Sequence, residues 1–135
     1  MPLGDPKGGD FRYTVEGLPE KITAASIPVS SIDDAIRFYS GPLKMVLVSR
    51  SDAEAVLRFG GSFLLLKKSQ TVGIDTGLYL GTEDPFVFHR RMVDEGVMFT
   101  RHPERGPLGV YASFRDQDSN TLHVVESRPR AGTDL

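Results

Sequence analysis

The chain has 135 residues, 39% hydrophobic and 25% charged, the length and balance of one globular domain rather than of a disordered or multidomain protein. Sixteen basic against 18 acidic side chains leave a formal charge of -2, and the arginines are scattered from Arg12 to Arg130, which excludes recruitment of nucleic acid or anionic lipid by bulk electrostatics. The absence of cysteine removes disulfides, thiolate metal sites and a cysteine nucleophile. Apolar runs are no longer than the one from Phe63 to Leu66, far short of a membrane span. The opening MPLGDPKGGD lacks the apolar core of a secretory signal, so a cytoplasmic protein without membrane or nucleic-acid partners is expected.

Residues 1–20 are dense in Gly and Pro and read as a flexible N-terminal arm, in which Phe11 to Val15 alternate enough to pair as a strand. The body is expected over 21–127 and a polar C-terminal tail over 128–135. Ile22 to Val29 reads as a strand. Ser31 then stands as a helix N-cap, with Asp33 and Asp34 at the positive end of the helix dipole. Ile32, Ala35, Ile36 and Tyr39 share one helical face, and Gly41-Pro42 ends the element. Three strands follow, Leu43 to Arg50, Ala55 to Phe59 and Phe63 to Lys67, the last two joined by a Gly60-Gly61 hairpin turn.

The same order then repeats. Thr76 to Thr82 reads as a strand, Asp84 as an N-cap with Pro85 at the first helical position, and the helix runs to about Glu95 before Gly96. Val97 to Arg101, Val110 to Arg115 and Thr121 to Glu126 are three further strands. Sliding Val29 onto Thr82 also lays Ile27 on Leu80, Ser31 on Asp84 and Ala24 on Gly77, a repeat of elements rather than of letters. The fold class is therefore α+β, two βαβββ modules over 21–70 and 75–127. Each sheet buries one face under its helix, and two such curled sheets side by side enclose a cup, the usual place for a small molecule.

Four stretches carry a resemblance at this point: IPVSSIDDAIRFYSGPLKM, FGGSFLLLKK, TGLYLGTEDPFVFHRRMVDEGVMF and the closing FRDQDSNTLHVVE with its Asp-x-x-x-Asn. In this order and spacing the chain resembles the vicinal oxygen chelate superfamily, which includes glyoxalase I, bleomycin-resistance proteins, methylmalonyl-CoA epimerase and extradiol dioxygenases. The resemblance implies eight strands forming a cup-shaped sheet, commonly in a homodimer. It also implies, in the metal-dependent members, an ion held from the first and fourth strand of each module. The matching positions here are Ala24, Leu65, Gly77 and His123, and His123 alone carries a donor. One imidazole is too few for a zinc or iron site, so no catalytic metal is expected. Asp75 shares the strand face of Gly77 and stands as a distant second candidate.

Strand alternation places Ala24, Ser26, Phe63, Leu65, Gly77, Tyr79, His123 and Val125 on the cup face, an apolar lining with a hydroxyl, a phenol and an imidazole. His123 reads either as a ligand contact with general acid/base capacity or as a satisfied structural histidine. No carboxylate or nucleophile at a matching position can be named beside it. Glu126 faces away by parity and reads as a surface charge; His89 reads as solvated beside Arg90 and Arg91. The stretch His102 to Gly109 reads as an extended surface loop, a plain connector in preference to a lid. Neither glycine pair precedes a helix that would bind phosphate, and no Gly-x-Ser-x-Gly occurs. The leading expectation is a protein that binds a small, largely apolar organic molecule in the cup. The alternative is a divalent-metal-dependent glyoxalase-like lyase, isomerase or dioxygenase using His123, and a third is a subunit that serves oligomerisation alone.

Overall fold

The computed structural model describes residues 17–127, so the expected arm strand Phe11 to Val15 and the tail 128–135 lie outside the described residues. The elements run β1 (Ala24–Val29), α1 (Ile32–Ser40), β2 (Val46–Arg50), β3 (Glu54–Phe59), β4 (Ser62–Lys68), β5 (Asp75–Thr82), α2 (Pro85–Asp94), β6 (Phe99–Gly106), β7 (Gly109–Arg115) and β8 (Thr121–Glu126). They form two four-stranded sheets with the orders β1-β4-β3-β2 and β5-β8-β7-β6. In each, the first and last strands pair in parallel and the others are antiparallel. This is the expected α+β architecture of two βαβββ modules.

Both helices begin where the caps predict. Ser31 Oγ accepts from the Asp34 backbone N–H at 3.2 Å, and Asp84 Oδ1 accepts from Phe86 and Val87 at 2.9 and 3.3 Å, satisfying N–H groups that the first helical turn leaves without partners. Helix α1 buries Ile32, Ala35 and Tyr39, as its periodicity requires, against Leu57, Leu64 and Leu66 of its own sheet. Burial of each large apolar side chain contributes roughly 1.5–3 kcal/mol. Met92 of α2 joins Phe114, Leu122 and Val124 in the same continuous core.

A polar joint binds the modules. The Tyr39 hydroxyl, fully buried, donates to Asp116 Oδ2 at 2.5 Å, and burial beside that carboxylate drives its pKa far up. Asn120, also fully buried, donates to the Pro28 carbonyl at 2.8 Å and to Asp116 Oδ2 at 3.0 Å, and accepts from the Gly73 and Ile74 backbones at 2.8 and 3.0 Å. Every hydrogen-bonding capacity of its amide is thereby met. Asp118 accepts from the Ser30 backbone N–H at 2.8 Å and from its hydroxyl at 2.5 Å.

Several expected boundaries move. Strand β1 starts at Ala24 rather than Ile22, and β2 at Val46 rather than Leu43, because Pro42 to Lys44 form a turn in which Lys44 takes φ 60°. The stretch His102 to Gly109 is not a loop: β6 continues to Gly106, whose partner is Gly109, leaving only Pro107-Leu108 as a two-residue turn. Proline is tolerated in β6 because it is the end strand of its sheet, unpaired on one side among the described residues.

Candidate functional site

Strand β5 shapes the site. Its pairing with β8 passes from Asp75↔Thr121 to Tyr79↔His123, so four steps along β5 answer two along β8. The extra residues form a bulge around Gly77, whose φ of +71° is a conformation that a side chain disfavours. Asp75 Oδ1 caps the bulge by accepting from the Gly77 N–H at 3.0 Å. The foreshortening brings Asp75 and Tyr79, four residues apart, onto one imidazole.

That imidazole is His123, 9% exposed. Its Nε2 stands 2.9 Å from Asp75 Oδ1, and its Nδ1 stands 2.7 Å from Ser113 Oγ. The Asp75 carboxylate accepts only, so Nε2 carries the proton of the neutral ring and Nδ1 accepts the Ser113 hydroxyl. The hydrogen bond from His123, then the one from Gly77, hold the Asp75 carboxyl below its ordinary range. A carboxylate and a hydroxyl therefore do flank His123, contrary to the expectation that neither could be named. Their exposure is the reverse of a hydrolytic arrangement: Ser113 is 4% exposed, whereas the Asp75 side chain is 67% exposed. The array fixes the ring and does not present a nucleophile.

What it fixes is a platform. The Tyr79 ring lies on His123 with centroids 4.5 Å apart and planes 16° from parallel. Tyr111 follows at 6.5 Å and 45°, and Arg101 stands 5.6 Å over the Tyr111 ring while bonding Glu104 at 2.6 Å. Tyr79 is 50% exposed. Beside it opens a hollow of about 400 Å³ lined by Tyr79, Tyr111, Val125 and the Pro107-Leu108 turn. A second hollow of about 440 Å³ follows the seam between the sheets and is lined by Ala24, Phe63 and Gly77 together with Tyr79.

The single lining expected from alternation thus divides. Tyr79 borders both hollows, and Ala24, Phe63 and Gly77 border the seam. Ser26 and Leu65, partners across β1 and β4, line neither, and His123 lies beneath Tyr79 rather than at the surface of either. Tyr111, Pro107, Leu108 and Ser113 were not anticipated. Alternation along β7 from Val110 to Phe114 was the available signal for Tyr111 and Ser113. Glu126 is no surface charge: it is 7% exposed and accepts from the Val110 backbone N–H at 2.9 Å. His89 is not freely solvated either, being half-buried with its ring edge-on to Phe99.

Among the described residues no three His, Asp or Glu side chains converge as metal ligands. The positions that the resemblance implies for an ion carry Ala24, Leu65, Gly77 and His123, and the first three of these side chains offer no donor. The residues present do not fit a resident catalytic metal.

A family model described as the Glyoxalase/Bleomycin resistance protein/Dioxygenase superfamily matches residues 21–124. The chain belongs to this superfamily. Among similar solved structures is the bleomycin-binding protein of bleomycin-producing Streptomyces verticillus, complexed with copper(II)-bleomycin, at TM-score 0.70 and 14% identity over 82% of this chain and 99% of that one. TnmS3, an antibiotic binding protein from Streptomyces sp. CB03234, gives 0.69 and 23% over 80% and 96%. Lactoylglutathione lyase from Agrobacterium tumefaciens gives 0.69 and 18% over 81% and 95%. At these identities the likeness is one of fold, and the fold serves binders and an enzyme alike. No helix among the described residues is long and apolar enough to cross a membrane.

Proposed function

We propose that this superfamily member binds a small, largely apolar organic molecule with a planar aromatic part, seated against Tyr79, and does so without a catalytic metal. The observation that carries the reading is the Tyr79 platform: a half-exposed ring, backed by the anchored His123, bordering two hollows of about 440 and 400 Å³. Rings stack favourably on such a face, and the phenol supplies one orienting hydrogen bond. The antibiotic- and bleomycin-binding proteins of the same fold support a binding role. The metal-dependent alternative has His123 with Asp75 beside it, two donors where about three are needed.

The homodimer and a cytoplasmic setting belong to the same proposal. Edge strand β2, with Val46, Leu47 and Val48 each at least 40% exposed, supports a second copy as its cover. The binding test is a thermal-shift screen of hydrophobic metabolites and antibiotics on wild type and Tyr79→Ala. A ligand of the native state raises the unfolding temperature. Losing one aromatic stack, about 1 kcal/mol, weakens a hit roughly fivefold in the variant. A screen without hits, or hits indifferent to Tyr79→Ala, would refute the reading.

A further inference from the structure

On the other side of the second sheet, under α2, the chain brings its two remaining histidines together. His89 stands within α2 and His102 on β6, with His89 Nε2 and His102 Nδ1 3.2 Å apart and the ring planes at 81°. Each ring is placed by its surroundings. His89 meets Phe99 edge-on at 4.5 Å, and Phe99 packs against Phe88 and Phe114, so rotamer freedom is restricted before any ligand arrives. His102 lies where β6 pairing passes from Arg101↔Ser113 to Glu104↔Tyr111, three steps against two. That bulge leaves Arg101 and Glu104 beside Tyr111 on the cup side and turns His102 towards the helix.

Two imidazole nitrogens bound to one ion at about 2.0–2.1 Å, at angles from square-planar to tetrahedral, stand about 2.9–3.4 Å apart. The observed 3.2 Å, at present a hydrogen bond in which one ring donates its N–H to the other, falls within that interval, and a bound ion would replace the shared proton. His102 is exposed and His89 half-buried, so solvent reaches the pair. We propose that His89 and His102 form a two-histidine chelate for a late first-row divalent ion, with Cu2+ preferred to Zn2+ and the remaining positions filled by water. The ion ties α2 to β6 and stabilises the native state, independently of what the Tyr79 hollows bind.

The test titrates the metal-free full chain with CuCl2 and separately with ZnCl2, read by calorimetry and by copper electron paramagnetic resonance, beside His102→Ala and His89→Ala. The expected result is one equivalent of copper with splitting from two imidazole nitrogens, a raised unfolding temperature, and weaker zinc binding. Removing even an outer-shell partner of a metal ligand costs about 10–100-fold in affinity, so removing a ligand should weaken copper at least about tenfold and abolish the two-nitrogen signal. His102→Ala, at an exposed strand position, carries the test if His89→Ala disturbs the Phe99 packing. Absence of copper binding by wild type, or unchanged affinity in His102→Ala, overturns the proposal.

Discussion

His123 is held at both ring nitrogens, and the cost of ordering it is met by partners that also choose its tautomer. Asp75 is the exposed half of that arrangement, so its contribution is open to titration. Because the folded carboxyl is depressed, the stability it adds is present above the unfolded value of about 3.9 and is lost as pH falls through the lower folded value. The gap in urea midpoint between wild type and Asp75→Asn is therefore expected at pH 6 and should shrink as pH falls below about 4. A gap constant across that range would contradict the ion-assisted hydrogen bond. The resemblance assigned a ligand position to His123, and parity set Asp75 on the strand face of Gly77; that the two meet depends on the bulge in β5, which alternation does not show. The pairing of Ser113 with His123 was not legible, because alternation along β7 gives the face of Ser113 but not the β7–β8 register. Nor was the burial of Glu126: parity assigns a face but not what covers it. Here the cover is the start of β7, where a Cβ on Gly109 (φ +113°) would come within 2.5 Å of the Glu126 carboxylate.

Bulges separate the strands as read from alternation from the strands as folded. The α1 and α2 caps and apolar faces are local signals, and both helices lie where those signals put them. A bulge has a weaker local mark, since a glycine within a strand also serves turns and close approaches. In β5 the mark is Gly77. Gly77→Ala meets no atom within 4 Å, so its cost isolates the left-handed backbone, about 1–2 kcal/mol, measurable by urea denaturation. A neutral substitution would show that the bulge does not need glycine. In β6 the marks are absent: shifts between Phe99 and Arg101, and between Arg101 and Glu104, break simple parity. They direct Phe99 to the core, Arg101 to Tyr111 and His102 to His89. Reading His102 to Gly109 as loop followed from its prolines and glycines, which here terminate and edge a strand instead.

The whole molecule depends on the Asp116 to Asn120 turn, which reaches from the second module to Pro28, Ser30 and Tyr39 of the first. Asn120→Ala strands the Pro28 carbonyl and the Gly73 and Ile74 N–H groups, each costing about 1–3 kcal/mol if it finds no water. A loss of at least about 3 kcal/mol in chemical denaturation is expected; a loss below about 1 kcal/mol would mean that the Asn120 amide contributes little to joining the modules. The module order and the closing Asp-x-x-x-Asn were both legible in the chain, and the family match over residues 21–124 agrees with them. The division of one expected cup into two hollows was not, because alternation fixes faces within a sheet and leaves the placement of one sheet against the other undetermined. The central claim concerns what meets Tyr79. Nuclear magnetic resonance mapping of a thermal-shift hit at saturation tests it directly: the largest perturbations are expected at Tyr79 and at its neighbours in either hollow, Tyr111, Leu108 and Val125 or Ala24 and Phe63. Perturbations confined to residues remote from Tyr79 would contradict it.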